Sequence, residues 1–129
     1  MNSNLDRTFK KYSFAILAQS EAKANKLGKL LGSKAHVQIF DAIEELEPVL
    51  IRDRTKVLIC VQEGYELDEL TQFLKEVRTA KSELILVWTI GDTLLPLSDG
   101  FSPTSVTPAD FLKPIYFSLL VYEDLHASA

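Results

Sequence analysis

Lys56-Val57-Leu58-Ile59-Cys60-Val61-Gln62 is the stretch on which the reading of the fold turns. From Val57 to Val61 it is apolar without a break, and Glu63-Gly64 follows Gln62. A strand with one solvated face alternates apolar and polar residues, whereas a strand covered by helices on both faces need not. The run is short and partly β-branched, so it reads as a buried central strand rather than a helix fragment. Gln62 then stands at the C-terminal end of that strand, where open α/β sheets place their binding sites.

Working outward, residues 13–18 (SFAILA) and 83–89 (ELILVWT) are further apolar runs, and 36–40 (HVQIF) is a short strand. Between the first run and 36–40, Ser20 is placed to cap a helix that buries Ala24, Leu27 and Leu31 and ends at Gly32. Asp41 and Glu44 have capping-box spacing and open a helix with Ile43, Leu46 and Leu50 inward. Pro48 is expected to kink that helix or end it early. Leu67, Leu70, Phe73, Leu74 and Val77 recur at helical spacing, which predicts an amphipathic helix over 66–80.

After residue 89 the alternation fails. The segment 90–108 contains Gly91, Pro96, Gly100, Pro103 and Pro108, leaving room for a turn or two of helix at most. Phe111-Leu112 is read as a brief fifth strand, and Pro114 as the start of a last helix to about His126. Strands alternating with helices imply a parallel sheet with right-handed crossovers on both sides. Residues 12–129 are read as one domain, and the polar residues 1–11 as a disordered leader.

The 129 residues suffice for one core, and 47% hydrophobic with 25% charged residues is the composition of an ordinary globular domain. The formal net charge of −4 argues against a nucleic-acid or anionic-membrane partner, which needs a Lys/Arg excess. The single cysteine excludes an intramolecular disulfide and fits a reducing cytoplasm. No apolar run approaches the ~20 residues that span a bilayer. His36 and His126 have no partner at metal-ligand spacing, Cys60 reads as a small buried apolar residue, and Gly28, Gly32 and Gly64 make no phosphate loop. No Ser/His/Asp arrangement is legible, so no enzyme activity and no cofactor are expected.

The succession of elements resembles the response-regulator receiver domain from about Tyr12 to Leu125. Its most specific piece is Phe111-Leu112-Lys113-Pro114, similar to that family's strand-five lysine followed by proline. The resemblance implies a flavodoxin-like (CheY-like), doubly wound, five-stranded parallel sheet of order 2-1-3-4-5, here with an irregular fourth-helix region. It also implies a cis Lys113–Pro114 peptide bond, and gives Thr89 the role of the hydroxyl residue that ends strand four.

The remaining family positions depart from the pattern. The acidic pair after strand one is replaced by Gln19 and Ser20, with only Glu21 following. The phospho-accepting aspartate falls on Gln62, or on Val61 if the alignment slips by one, and the switch aromatic falls on Asp110 beside Phe111. Magnesium needs hard oxygen ligands, usually including carboxylates, and an amide oxygen is not a nucleophile towards a phosphoryl donor. Gln19, Ser20, Gln62, Thr89 and Lys113 therefore form a degenerate phosphoacceptor site, without Mg²⁺. Lys113 is expected to hydrogen-bond the Gln62 side-chain oxygen and hold the site closed.

The last helix carries apolar residues most of the way round, more than one sheet-facing stripe requires. Tyr116, Phe117, Leu120 and Val121 are the expected contact surface for a protein partner or for self-association, together with segment 90–108. The alternative is an intramolecular lid of Leu94, Leu95, Leu97 and Phe101. The resulting expectation is a phosphorylation-independent pseudo-receiver in bacterial signalling or cell organisation. A sensor for a small anion or nucleotide at the strand ends is the other reading.

Overall fold

The computed structural model describes residues 3–32, 35–52, 55–79, 84–104 and 107–127. The apolar run around Ile59 forms β3 (Val57–Val61), and every residue in it is buried. Its alternate side chains go to opposite faces. Val57, Ile59 and Val61 join one core cluster, while Leu58 and Cys60 join the other. A strand with two dry faces needs no polar residue, which is why the run is unbroken.

Around β3 lie β1 (Ser13–Leu17), β2 (His36–Phe40), β4 (Leu86–Ile90) and β5 (Gly100–Ser102) in the order β2-β1-β3-β4-β5, all parallel. The helices are α1 (Ser3–Phe9), α2 (Glu21–Gly32), α3 (Ile43–Arg52), α4 (Leu67–Thr79) and α5 (Pro108–His126). Helices α1, α2 and α5 supply Phe9, Leu27, Leu31, Ile115 and Leu119 to one face. Helices α3 and α4 supply Leu46, Leu50, Phe73, Leu74 and Val77 to the other. The fold class and strand order are those expected, and residues 91–99 between β4 and β5 contain no helix.

Four expectations are corrected. Residues 3–9 are not a disordered leader: α1 buries Leu5 and fully buries Phe9, whose ring lies 5.3 Å from Phe14 and 6.5 Å from Tyr116. Pro48 does not shorten α3, which runs on to Arg52. Phe111-Leu112 is not a strand. It lies inside α5, which begins at Pro108 behind the N-cap residue Thr107 and continues through Pro114. A proline in the first helical position leaves no donor unsatisfied, and Pro108 fills that role in place of Pro114. There is no cis peptide bond among the described residues, so the Lys113–Pro114 bond is trans. Positions 80 and 83, the expected limits of α4 and β4, lie outside the described residues.

Candidate functional site at the strand ends

The C-terminal edge of the sheet is built from the turns that leave β1, β3, β4 and β5. After β1, the Ser20 hydroxyl accepts a hydrogen bond from the Lys23 amide at 3.3 Å, capping α2 as its residue type predicts. Gln19 is exposed and lies over Gly64, which adopts φ +93° in the turn after β3. A β-carbon at Gly64 would meet both the left-handed backbone penalty and the Gln19 side chain.

Gln62 is 8% exposed, and its backbone groups and carboxamide nitrogen are all hydrogen-bonded. Its backbone N–H donates to Ile90 O at 2.9 Å, and its carbonyl accepts from the Tyr65 N–H at 3.1 Å. Its carboxamide Nε2 donates to Thr93 O at 2.5 Å. The side chain crosses Gly91, where a β-carbon would collide with it. The amide thus fastens the β4–β5 connection to the end of β3.

Thr89 lies one residue below the end of β4. It is completely buried and pairs in register with Cys60 and Phe101. Its hydroxyl is 3.5 Å from Gly100 O. Ile90 occupies the strand end itself. Lys113 is not at the end of β5 but is an exposed residue of α5. The expected hydrogen bond from Lys113 to the Gln62 side-chain oxygen is therefore not formed, while the carboxamide nitrogen is bonded to Thr93.

The residue that does end β5 is Ser102, and it too is followed by proline, Pro103. Ser102 Oγ accepts a hydrogen bond from Trp88 Nε1 at 2.9 Å, and Ser102 O accepts one from the Gly91 N–H at 3.0 Å. The strand-end-then-proline pattern of Lys113-Pro114 is thus met by a serine, earlier in the chain. The signal available for it was Gly100-Phe101-Ser102-Pro103: Gly100 leaves room for the Trp88 ring, which a β-carbon would strike.

The carboxylates nearby are dispersed. Glu63 pairs with Lys23 at 2.8 Å, and Asp92 accepts from the Thr104 hydroxyl at 3.5 Å. The Tyr65 hydroxyl donates to Asp41 O at 2.5 Å. Its pKa is pushed up to about 12, first by burial and then by the charge of Asp41. Among the described residues, no three His, Cys, Asp or Glu side chains converge as a metal site. The Cys60 thiol is pushed up to about 12 by burial, which suits it for packing and not for nucleophilic attack.

No protein-family model matches the sequence, and no curated protein matches it. The structure is similar to solved receivers. A CheY-like protein (tadZ) from Pseudomonas aeruginosa superposes with a TM-score of 0.65 at 19% identity, over 83% of this chain and 98% of that one. A CheY-like receiver domain from Methylobacillus flagellatus gives 0.67 at 14% identity, over 84% and 98%. The chemotaxis protein CheY4 of Vibrio cholerae gives 0.68 at 14% identity, over 81% and 95%. The chain has the CheY-like receiver fold. Among the described residues, no helix is long and apolar enough to cross a membrane.

Proposed function

We propose that the chain is a pseudo-receiver, a non-enzymatic, cytoplasmic protein-interaction module of bacterial signalling or cell organisation that works without phosphorylation. The observation that carries this reading is Gln62. The strand-three end holds a neutral amide, its nitrogen bonded to Thr93 O, beside the uncharged Gln19 and Ser20. With Ser102 at the end of β5, the cation that would read a phosphoryl group is lost there as well. A titration with beryllofluoride and Mg²⁺, followed by amide NMR, tests this. No shift at Gln62, Gly91 or Ser102 is expected, and a saturable shift there would end the reading. Gln62→Asp should stay inert to acetyl phosphate, because Gln19 and Ser20 still hold no magnesium.

The contact surface is the outer side of α5. Phe117, Val121 and Leu125 are 60%, 58% and 71% exposed and spaced four residues apart, forming one apolar line. Lys113 continues that line at its N-terminal end, and Asp124 lies beside Leu125 at the other. Two such helices packed antiparallel would bring each Lys113 near the other copy's Asp124, so the surface is complementary to itself and its occupant is a second copy of this chain. Leu95 is buried in the α3/α4 cluster, on the opposite face of the sheet, while Leu94, Leu97 and Phe101 remain exposed, so these residues form no lid over α5. Light scattering should give a dimer for the wild type and a folded monomer for Phe117→Glu with Val121→Glu. A monomeric wild type at every concentration would refute the pairing.

A further inference from the structure

On the α2/α5 side of the strand ends lies a cavity of about 170 Å³ that none of the preceding roles uses. Its walls are Leu27 of α2, Val61 and Ile90 at the ends of β3 and β4, and Phe111 of α5, all buried. At its mouth stand Lys23 and Lys26, three residues apart on α2, and Thr104 from the connection into α5. The charged groups in contact with these are Glu63, 2.8 Å from Lys23 Nζ, and Asp92, which takes the Thr104 hydroxyl.

We propose that this cavity binds a short-chain aliphatic carboxylate, with its tail against Leu27, Val61, Ile90 and Phe111 and its head between Lys23 and Lys26. The apolar walls exclude a free inorganic anion as the best-fitting ligand, because it would leave them uncovered. The two ammonium groups at the mouth exclude a purely apolar one. A cavity of ~150 Å³ accepts one benzene ring, so a chain of about six carbons fills this one. The carboxylate competes with Glu63 for Lys23 and meets Lys26 directly. The site is separate from α5's outer line and does not depend on dimer formation.

Calorimetry and amide NMR with butyrate, pentanoate, hexanoate and octanoate test the assignment on the wild-type chain. Affinity should rise about fourfold per methylene up to hexanoate and then level off, the shifts centring on Leu27, Ile90 and Thr104. Lys26→Glu, an exposed position, should weaken hexanoate about tenfold while changing 1-hexanol by no more than about twofold. Sodium phosphate should bind more weakly than hexanoate. A flat chain-length series, equal binding of phosphate, or millimolar hexanoate without shifts at these amides would overturn the assignment.

Discussion

Trp88 Nε1 and Ser102 Oγ are 2.9 Å apart, a buried hydrogen bond that joins β4 to the end of β5. Strand β5 is only three residues long, so this side-chain bond carries an unusual share of its attachment. Ser102→Ala would leave the indole N–H buried without its acceptor and should destabilise by ~1–3 kcal/mol. In a urea double-mutant cycle with Trp88→Phe, the two losses should be less than additive. Strict additivity would mean that the bond contributes nothing.

Phe9 gives the next prediction, because a leader and a core helix differ sharply in energetics. Phe9→Ala should cost ~3–5 kcal/mol if the ring fills the space between Phe14 and Tyr116. A surface segment would change stability by no more than ~0.5 kcal/mol. The same packing makes Tyr116 a poor site for probing association. It is half-buried against the core, so a charge there would unfold what Phe117→Glu leaves intact.

The sheet was legible because short, partly β-branched apolar runs such as 57–61 and 84–88 suit strands with two dry faces. The ends of the chain were not. Leu5 and Phe9 are four residues apart, which is helical spacing, but two apolar residues among polar ones carry little weight without the surface they pack on. At the other end two prolines, Pro108 and Pro114, each suit a helix start, and the Lys-Pro pair drew the strand to the wrong one. Gln62, reached by counting back from α4, immediately follows Val61, the last residue of β3, whereas its partner Thr93 could not be read. That pairing depends on how an irregular connection folds over the sheet.

Leu97 has φ +72°, the one non-glycine residue with positive φ among those described, and its carbonyl accepts from Arg78 Nη2 at 3.3 Å. A left-handed conformation penalises a branched side chain by ~1–2 kcal/mol, and Leu97 is largely exposed, so little burial offsets it. Leu97→Gly should therefore stabilise by about 0.5–1 kcal/mol, seen as a higher urea midpoint with unchanged slope. A lower midpoint would show that the side chain contributes packing of its own.

Alkaline stability follows from the buried acids. Cys60 ionises ordinarily near 9.0 and in the fold near about 12, and Tyr65 moves from 10.0 to about 12. Tyr12 is also raised, by burial and by its 2.7 Å hydrogen bond to Glu123. Each group is protonated in the fold while the unfolded chain releases its proton. Their stabilisation is thus complete below pH 9 and is lost progressively between pH 9 and 12. Thermal melts should fall across that window, and Cys60→Ala should delay the onset of the decline to about pH 10. An unchanged onset in Cys60→Ala would assign the loss to the tyrosines alone.

Residues 91–99 return the chain to the parallel direction without a helix, and the strap is pinned along its length. Thr93 is held by Gln62, Leu95 is sunk among α3 and α4 side chains, and Asp99 takes both Arg78 and the Val87 N–H. A crossover helix could tilt or slide as a lever; a strap fastened at three points has no stroke. A change at Gln62 therefore meets no helix in residues 91–99 that could carry it towards the far side of the sheet. On the pseudo-receiver reading proposed above, the output of such a domain would be set by what binds it, how much of it is made and where it gathers.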